Sequence, residues 1–154
     1  MKTRTIVLTL LTCFVGLTLC FADVAIMGTW KLNEAKSKLA PGVPKNTMVV
    51  YEAAGDSVKV TVDGVDGQGK PTHSEWTGKF DGKDYPVTGD PSSDMRSVKT
   101  INDRTLELTV KNGGKVTSSG RIVVSPDNKT RTVTLTGTDA KGKKFHTTSV
   151  YDKQ

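Results

Sequence analysis

The sequence predicts an all-β fold: a single antiparallel up-and-down β-barrel of about 8–10 strands, with at most one short helix after the first strand. Three observations predict it. Turn signals recur every few residues, the runs between them alternate apolar and polar side chains, and only one stretch can form a helix. The turns fall at Ala54-Gly55-Asp56, residues 63–69, Asp81-Gly82, Gly89-Asp90-Pro91, Asn102-Asp103, Asn112-Gly113-Gly114, Pro126-Asp127-Asn128 and Lys141-Gly142. Asn112-Gly113 is the strongest hairpin signal, because both residues tolerate the positive φ of a tight turn.

Between the turns, Val58, Val60 and Val62 face away from Ser57, Lys59 and Thr61. Leu106, Leu108 and Val110 oppose Thr105, Glu107 and Thr109, and Val133 and Leu135 oppose Thr132, Thr134 and Thr136. A period of two sends one set to a core and the other to water. With Met27–Leu32 first, Phe145–Tyr151 last and a short fifth strand at Tyr85–Val87, the count is about ten. Asn33 is placed to cap a helix over Glu34–Leu39, which Pro41-Gly42 stops within two turns. No other segment has room for a crossover helix, so antiparallel pairing is expected throughout. Ten antiparallel strands with one apolar face either close or stack. Closure also removes exposed edges, which leaves a two-sheet sandwich as the alternative.

The N-terminus reads as an export signal. Lys2 and Arg4 precede an apolar run over residues 6–19, and Cys20-Phe21-Ala22 places small residues for cleavage after Ala22. The run is short of the roughly 20 apolar residues a spanning helix needs. The domain organisation is therefore a signal peptide, 1–22, and a barrel, 23–154. The protein is expected to be exported, periplasmic or secreted. The alternative is a membrane-anchored lipoprotein acylated at Cys20, although Leu19 is larger than such a site prefers. Both cysteines, Cys13 and Cys20, leave with the signal, so the mature chain has neither disulfide nor thiol nucleophile. Without Lys2 and Arg4 the 22 basic residues become 20 against 16 acids, a net charge of +4. The bases are dispersed except at Lys141-Gly142-Lys143-Lys144, a pattern that argues against nucleic-acid binding.

Catalytic and metal signatures are absent from the sequence. His73 and His146 have no second ligand at metal spacing. "DGVDGQGK", residues 63–70, lacks the acid spacing of a calcium loop and leads into no helix that would cradle phosphate. There is no Gly-x-Ser-x-Gly elbow. No cofactor, no metal and no enzymatic activity are expected.

"MGTWKLN", residues 27–33, resembles the first strand of the calycins, the superfamily of lipocalins and fatty-acid-binding proteins. "GDSVKVTV" (55–62), "GKVTSSGRIVV" (114–124) and "TTSVYDK" (147–153) resemble further stretches of the fatty-acid-binding group, in the same order. "GTWKLNEAKSK" with "DGKDYPVTG" is similar to a bacterial exported lipocalin-like family of uncharacterised proteins. The resemblance implies that Trp30 plugs one end of the barrel, burying on the order of 200 Å². It also implies that Arg121 and Tyr151 hold a ligand's carboxylate inside. Ser149 stands where the family has a second arginine, so this anion site is half present. Residues 33–46 are too few for the family's helical lid. Alternation is split on the site: it places Tyr151 with Ser149, Thr147 and Phe145, but turns Arg121 outward with Ser119 and Thr117, where the resemblance turns it in.

Two functions follow. One is a monomeric barrel binding a small apolar or amphipathic ligand in its interior, with Arg121, Ser149 and Tyr151 at the polar end and Trp76 and Phe80 either lining it or packing the core. The other is a packed barrel acting as a protein-interaction, inhibitor or envelope-associated module. A connected interior void of about 300 Å³ or more favours the first.

Overall fold

In a computed structural model, which describes residues 25–139 and 141–154, ten antiparallel strands close into one barrel. The predicted signal peptide and its two cysteines lie outside the described residues. The strands are β1 (Gly28–Leu32), β2 (Lys45–Ala54), β3 (Ser57–Val65), β4 (Pro71–Gly78), β5 (Asp81–Thr88), β6 (Met95–Asn102), β7 (Thr105–Asn112), β8 (Lys115–Val124), β9 (Thr130–Thr138) and β10 (Lys144–Lys153). Each pairs with its sequence neighbour, and β1 pairs with β10 through Trp30 with Lys153 and Leu32 with Tyr151. That last pairing turns the meander into a barrel and leaves no free edge.

Three local expectations are corrected. The fifth strand is eight residues long rather than three, because it pairs with β6 from Asp81 onward. The tight turn between β7 and β8 is centred on Gly113 and Gly114, at φ +55° and +75°, one position later than Asn112-Gly113 suggested. Two consecutive glycines carry the left-handed conformation at less strain than Asn-Gly. The predicted helix is a single 3-10 turn, Glu34–Lys36, where the Asn33 side chain accepts from the Lys36 amide as a cap does. Beyond it the chain continues alongside β10, held by an antiparallel bridge between Lys38 and Thr148.

Alternation decides what fills the barrel. Inward residues form rows across neighbouring strands. Near the end where the chain enters β1, one row runs Val124, Arg131, Tyr151, Leu32. At the other end, which we term the mouth, a row runs Arg96, Val110, Ser118, Gly137, Phe145. The wall is least well paired between β4 and β5, where only Glu75–Thr88 and Trp76–Val87 are in register. Aromatic side chains cover that seam. Trp76, 1 % exposed, stacks on Phe80 at 6.3 Å and meets Tyr85 edge-on at 5.9 Å. Gly78 makes the cluster possible, since a Cβ there would stand 2.6 Å from Trp76 Cζ2 and 2.7 Å from the Tyr85 ring. Gly78→Ala is expected to cost about 2 kcal/mol through overpacking, read as a lower urea midpoint with unchanged slope. A loss below about 0.5 kcal/mol would show that the rings are free to move.

Candidate functional site: two inward-facing arginines in the barrel

The closed end is built around Trp30. Its ring is 0 % exposed, and its Nε1 donates to the Ile26 carbonyl at 2.6 Å, which satisfies the indole's one polar atom. Arg131 enters from β9 in the register of Val133 and Leu135, 2 % exposed. Its guanidinium carbon lies 4.2 Å from the Tyr151 ring centroid, 5.2 Å from that of Tyr51 and 5.7 Å from that of Trp30. Nη1 donates to the Tyr51 hydroxyl at 2.7 Å, while Nε is shielded and has no partner. Three ring faces replace the carboxylate that a buried cation ordinarily requires. Burial pushes the Tyr151 phenol above its ordinary pKa, against the pull of the Arg131 charge and of a hydrogen bond with Ser149. The phenol therefore stays neutral at neutral pH.

Nearer the mouth, Arg96 on β6 shares the inward register of Val98. Its backbone carbonyl accepts from Trp76 Nε1 at 3.0 Å, tying it to the aromatic seam. Its Nε is shielded from water and unpartnered. Burial lowers its pKa, with partial compensation from Tyr51 and Asp90. Among the described residues no carboxylate reaches ion-pair distance of either Arg96 or Arg131. Asp90 acts on Arg96 only at range. It sits in the β5–β6 loop, where its carboxylate accepts from the Ser92 amide at 2.8 Å, from Ser92 Oγ at 2.6 Å and from Ser93 Oγ at 2.7 Å. Burial alone would raise the Asp90 pKa, but these hydrogen bonds and the Arg96 charge hold it below the ordinary value.

A depressed carboxylate contributes stability above its unfolded pKa, near 3.9, and loses it as pH falls through the lower folded value. Asp90→Asn is therefore expected to flatten the fall in melting temperature below about pH 4 while leaving the slope between pH 5 and about pH 7 unchanged. An identical acid limb in the two proteins would remove Asp90 from this account.

The predicted site residues divide. Tyr151 and Ser149 both face inward on β10, and Tyr151 lies against Arg131. Trp30 is wholly buried at the closed end. Arg121 is a correction: it is exposed on the outer face, in a row with Glu107 and Thr134. Strand alternation places Ile122 and Val124 inside, and this leaves no inward place for it. Trp76 and Phe80 pack on each other across the β4–β5 seam, four strands around the wall from β10. Arg131, Arg96 and Tyr51 went unremarked in the sequence, although each stands in the apolar register of its strand, beside Val133, Val98 and Val49 respectively.

The inward residues differ from end to end. Around Trp30 they are sealed, whereas Val110, Ser118, Leu135, Phe145 and Ser149 keep partial exposure. Two clefts open at the mouth, and neither is the connected interior void expected of a ligand-binding barrel. One of about 490 Å³ lies between the strap after β1 and the β3–β4 loop, and the other, of about 300 Å³, lies between the ends of β8 and β9.

No protein-family model matches the chain, and no curated protein matches it in sequence. Among solved structures, EF1p2_mFAP2b bound to DFHBI is similar at a TM-score of 0.47 and 12 % identity, over 84 % of this chain and 94 % of that one. A redesigned β-barrel, mFAP1, bound to DFHBI, is similar at a TM-score of 0.43 and 16 % identity, over 84 % of this chain and 95 % of that one. The present chain is an up-and-down barrel of ten antiparallel staves with the first and last paired.

Proposed function

We propose that this chain is an exported binding protein that holds a small amphipathic molecule in the mouth half of the barrel, apolar body against Val110, Leu135 and Phe145 and anionic head on Arg96. The observation that carries the reading is the Arg96 guanidinium, buried at Nε with neither a hydrogen-bond partner there nor an ion-paired carboxylate. An unpaired buried donor on a cation is costly, and a ligand oxyanion would satisfy it with a charge-assisted bond. The partly exposed inward side chains at the mouth supply apolar surface for the remainder. Ser149 and Tyr151 belong to the floor in this reading, next to Arg131. No catalytic role is proposed for any residue.

Native mass spectrometry of the exported protein, together with titration of a matched alkyl carboxylate and alkyl alcohol, tests the proposal. The carboxylate should bind at least about ten-fold more tightly than the alcohol, and Arg96→Met should erase that preference. No uptake of either molecule would instead favour the packed barrel that works through its outer surface. That second reading draws on the tight closed end and on clefts that sit at the loops.

A further inference from the structure

Two hairpin tips at the mouth are basic. The β7–β8 and β9–β10 hairpin tips carry Lys115, Lys141, Lys143 and Lys144, all exposed and none in an ion pair among the described residues. Two acids touch these tips, and both shape turns: an Asp139 oxygen is occupied by the Lys141 and Lys143 amides at 2.9 Å each, and Asp94 of the β5–β6 loop accepts from the Gly113 amide at 2.8 Å. Beside the lysines stand two apolar side chains facing water. Val116 is 58 % exposed and Met95 is 39 % exposed. Register places them in one row on the outer wall with Lys111 between them. The wall itself opens here, because pairing of β8 with β9 stops at Ser118–Gly137, and the 300 Å³ cleft beyond it includes Val116 and Lys144.

We infer that this rim is a docking surface for an anionic lipid bilayer, the lysines meeting headgroup phosphates and Val116 and Met95 entering the interface. Charge complementarity and the adjacent apolar side chains both favour a bilayer. A nucleic acid would need aromatic platforms or a long basic track, and these tips have neither. Docking in this pose turns the mouth toward the membrane. The inference does not depend on an interior ligand.

Vesicle flotation on a Cys20→Ser chain, which no acyl group can anchor, provides the test. Vesicles of phosphatidylcholine with about 30 mol % phosphatidylglycerol should bind the protein, and pure phosphatidylcholine should not. Raising salt to about 0.5 M should release it. K141Q/K143Q/K144Q should weaken partitioning on the order of 100-fold, from about five-fold per lysine. Val116→Ser should weaken it several-fold, while K31Q/K99Q/K129Q, away from the rim, should leave it unchanged. The inference is overturned by equal binding to both vesicle types, by an equal loss in the control triple variant, or by DNA displacing the protein from vesicles at matched charge concentration.

Discussion

Arg131→Ala is expected to destabilise the barrel by about 4 kcal/mol, and Trp30→Ala by a comparable amount, while the double variant falls short of their sum by about 1 to 2 kcal/mol. The large single effects follow from burial. Trp30 is 0 % exposed, so its removal leaves a cavity that a closed ring of strands cannot collapse to fill. Removing Arg131 empties the space between three aromatic rings and deprives the Tyr51 hydroxyl of its donor. The shortfall arises because each residue is part of the other's environment, a cation 5.7 Å from the indole centroid. Arg131→Lys tests geometry: an ammonium keeps the charge but cannot lie flat against Tyr151, and about 2 kcal/mol should still be lost. Urea unfolding of the four proteins of the cycle gives the coupling. Strict additivity would mean that the arginine and the tryptophan merely occupy the same end of the barrel.

Arg96→Met is expected to act in the opposite sense on stability, leaving the unliganded protein unchanged or more stable by about 1 to 2 kcal/mol. The side chain is half-buried, its Nε is shielded without a partner, no carboxylate stands at ion-pair distance among the described residues, and Asp90 compensates only from a distance. A methionine of similar length removes that desolvation cost and keeps an apolar side chain in the inward register of Val98, opposite Val110. The same substitution should lower affinity for an anionic amphiphile by about ten- to a hundred-fold, the loss of one charge-assisted contact. A variant that gains stability while losing binding identifies a residue kept for recognition. If Arg96→Met instead unfolds the protein, the guanidinium serves the fold, and the interior-ligand reading loses its main support.

Much of the architecture is legible in the chain. The alternation of Val58, Val60 and Val62, or of Leu106 and Leu108, selects an inner face strand by strand, and the structure buries those side chains. Density of turns, with no room for crossover helices, restricts the connections to antiparallel neighbours. Alternation also turned Arg121 outward, against the motif resemblance, and there the pattern was the better guide, because a two-residue period is enforced by the pleat whereas a motif fixes chemistry only if the register agrees. Arg96, Arg131 and Tyr51 obey the same rule, sharing the registers of Val98, Val133 and Val49, but nothing in the sequence singled them out. Their significance was not legible, since a charged residue in an apolar register gives no indication of what lies across the barrel from it.

Local sequence thus determined the strands, the order of their pairing and the face each residue takes, since these depend on steric and solvation preferences spanning two to ten residues. Tertiary structure alone decided which inward residues meet. Closure of β1 on β10 brings the start and the end of the chain together, so that Trp30, Tyr51, Arg131 and Tyr151, up to 121 positions apart in sequence, form one cluster. A contact made across a barrel is set by strand tilt and stagger summed around the whole ring, and no single strand carries that information.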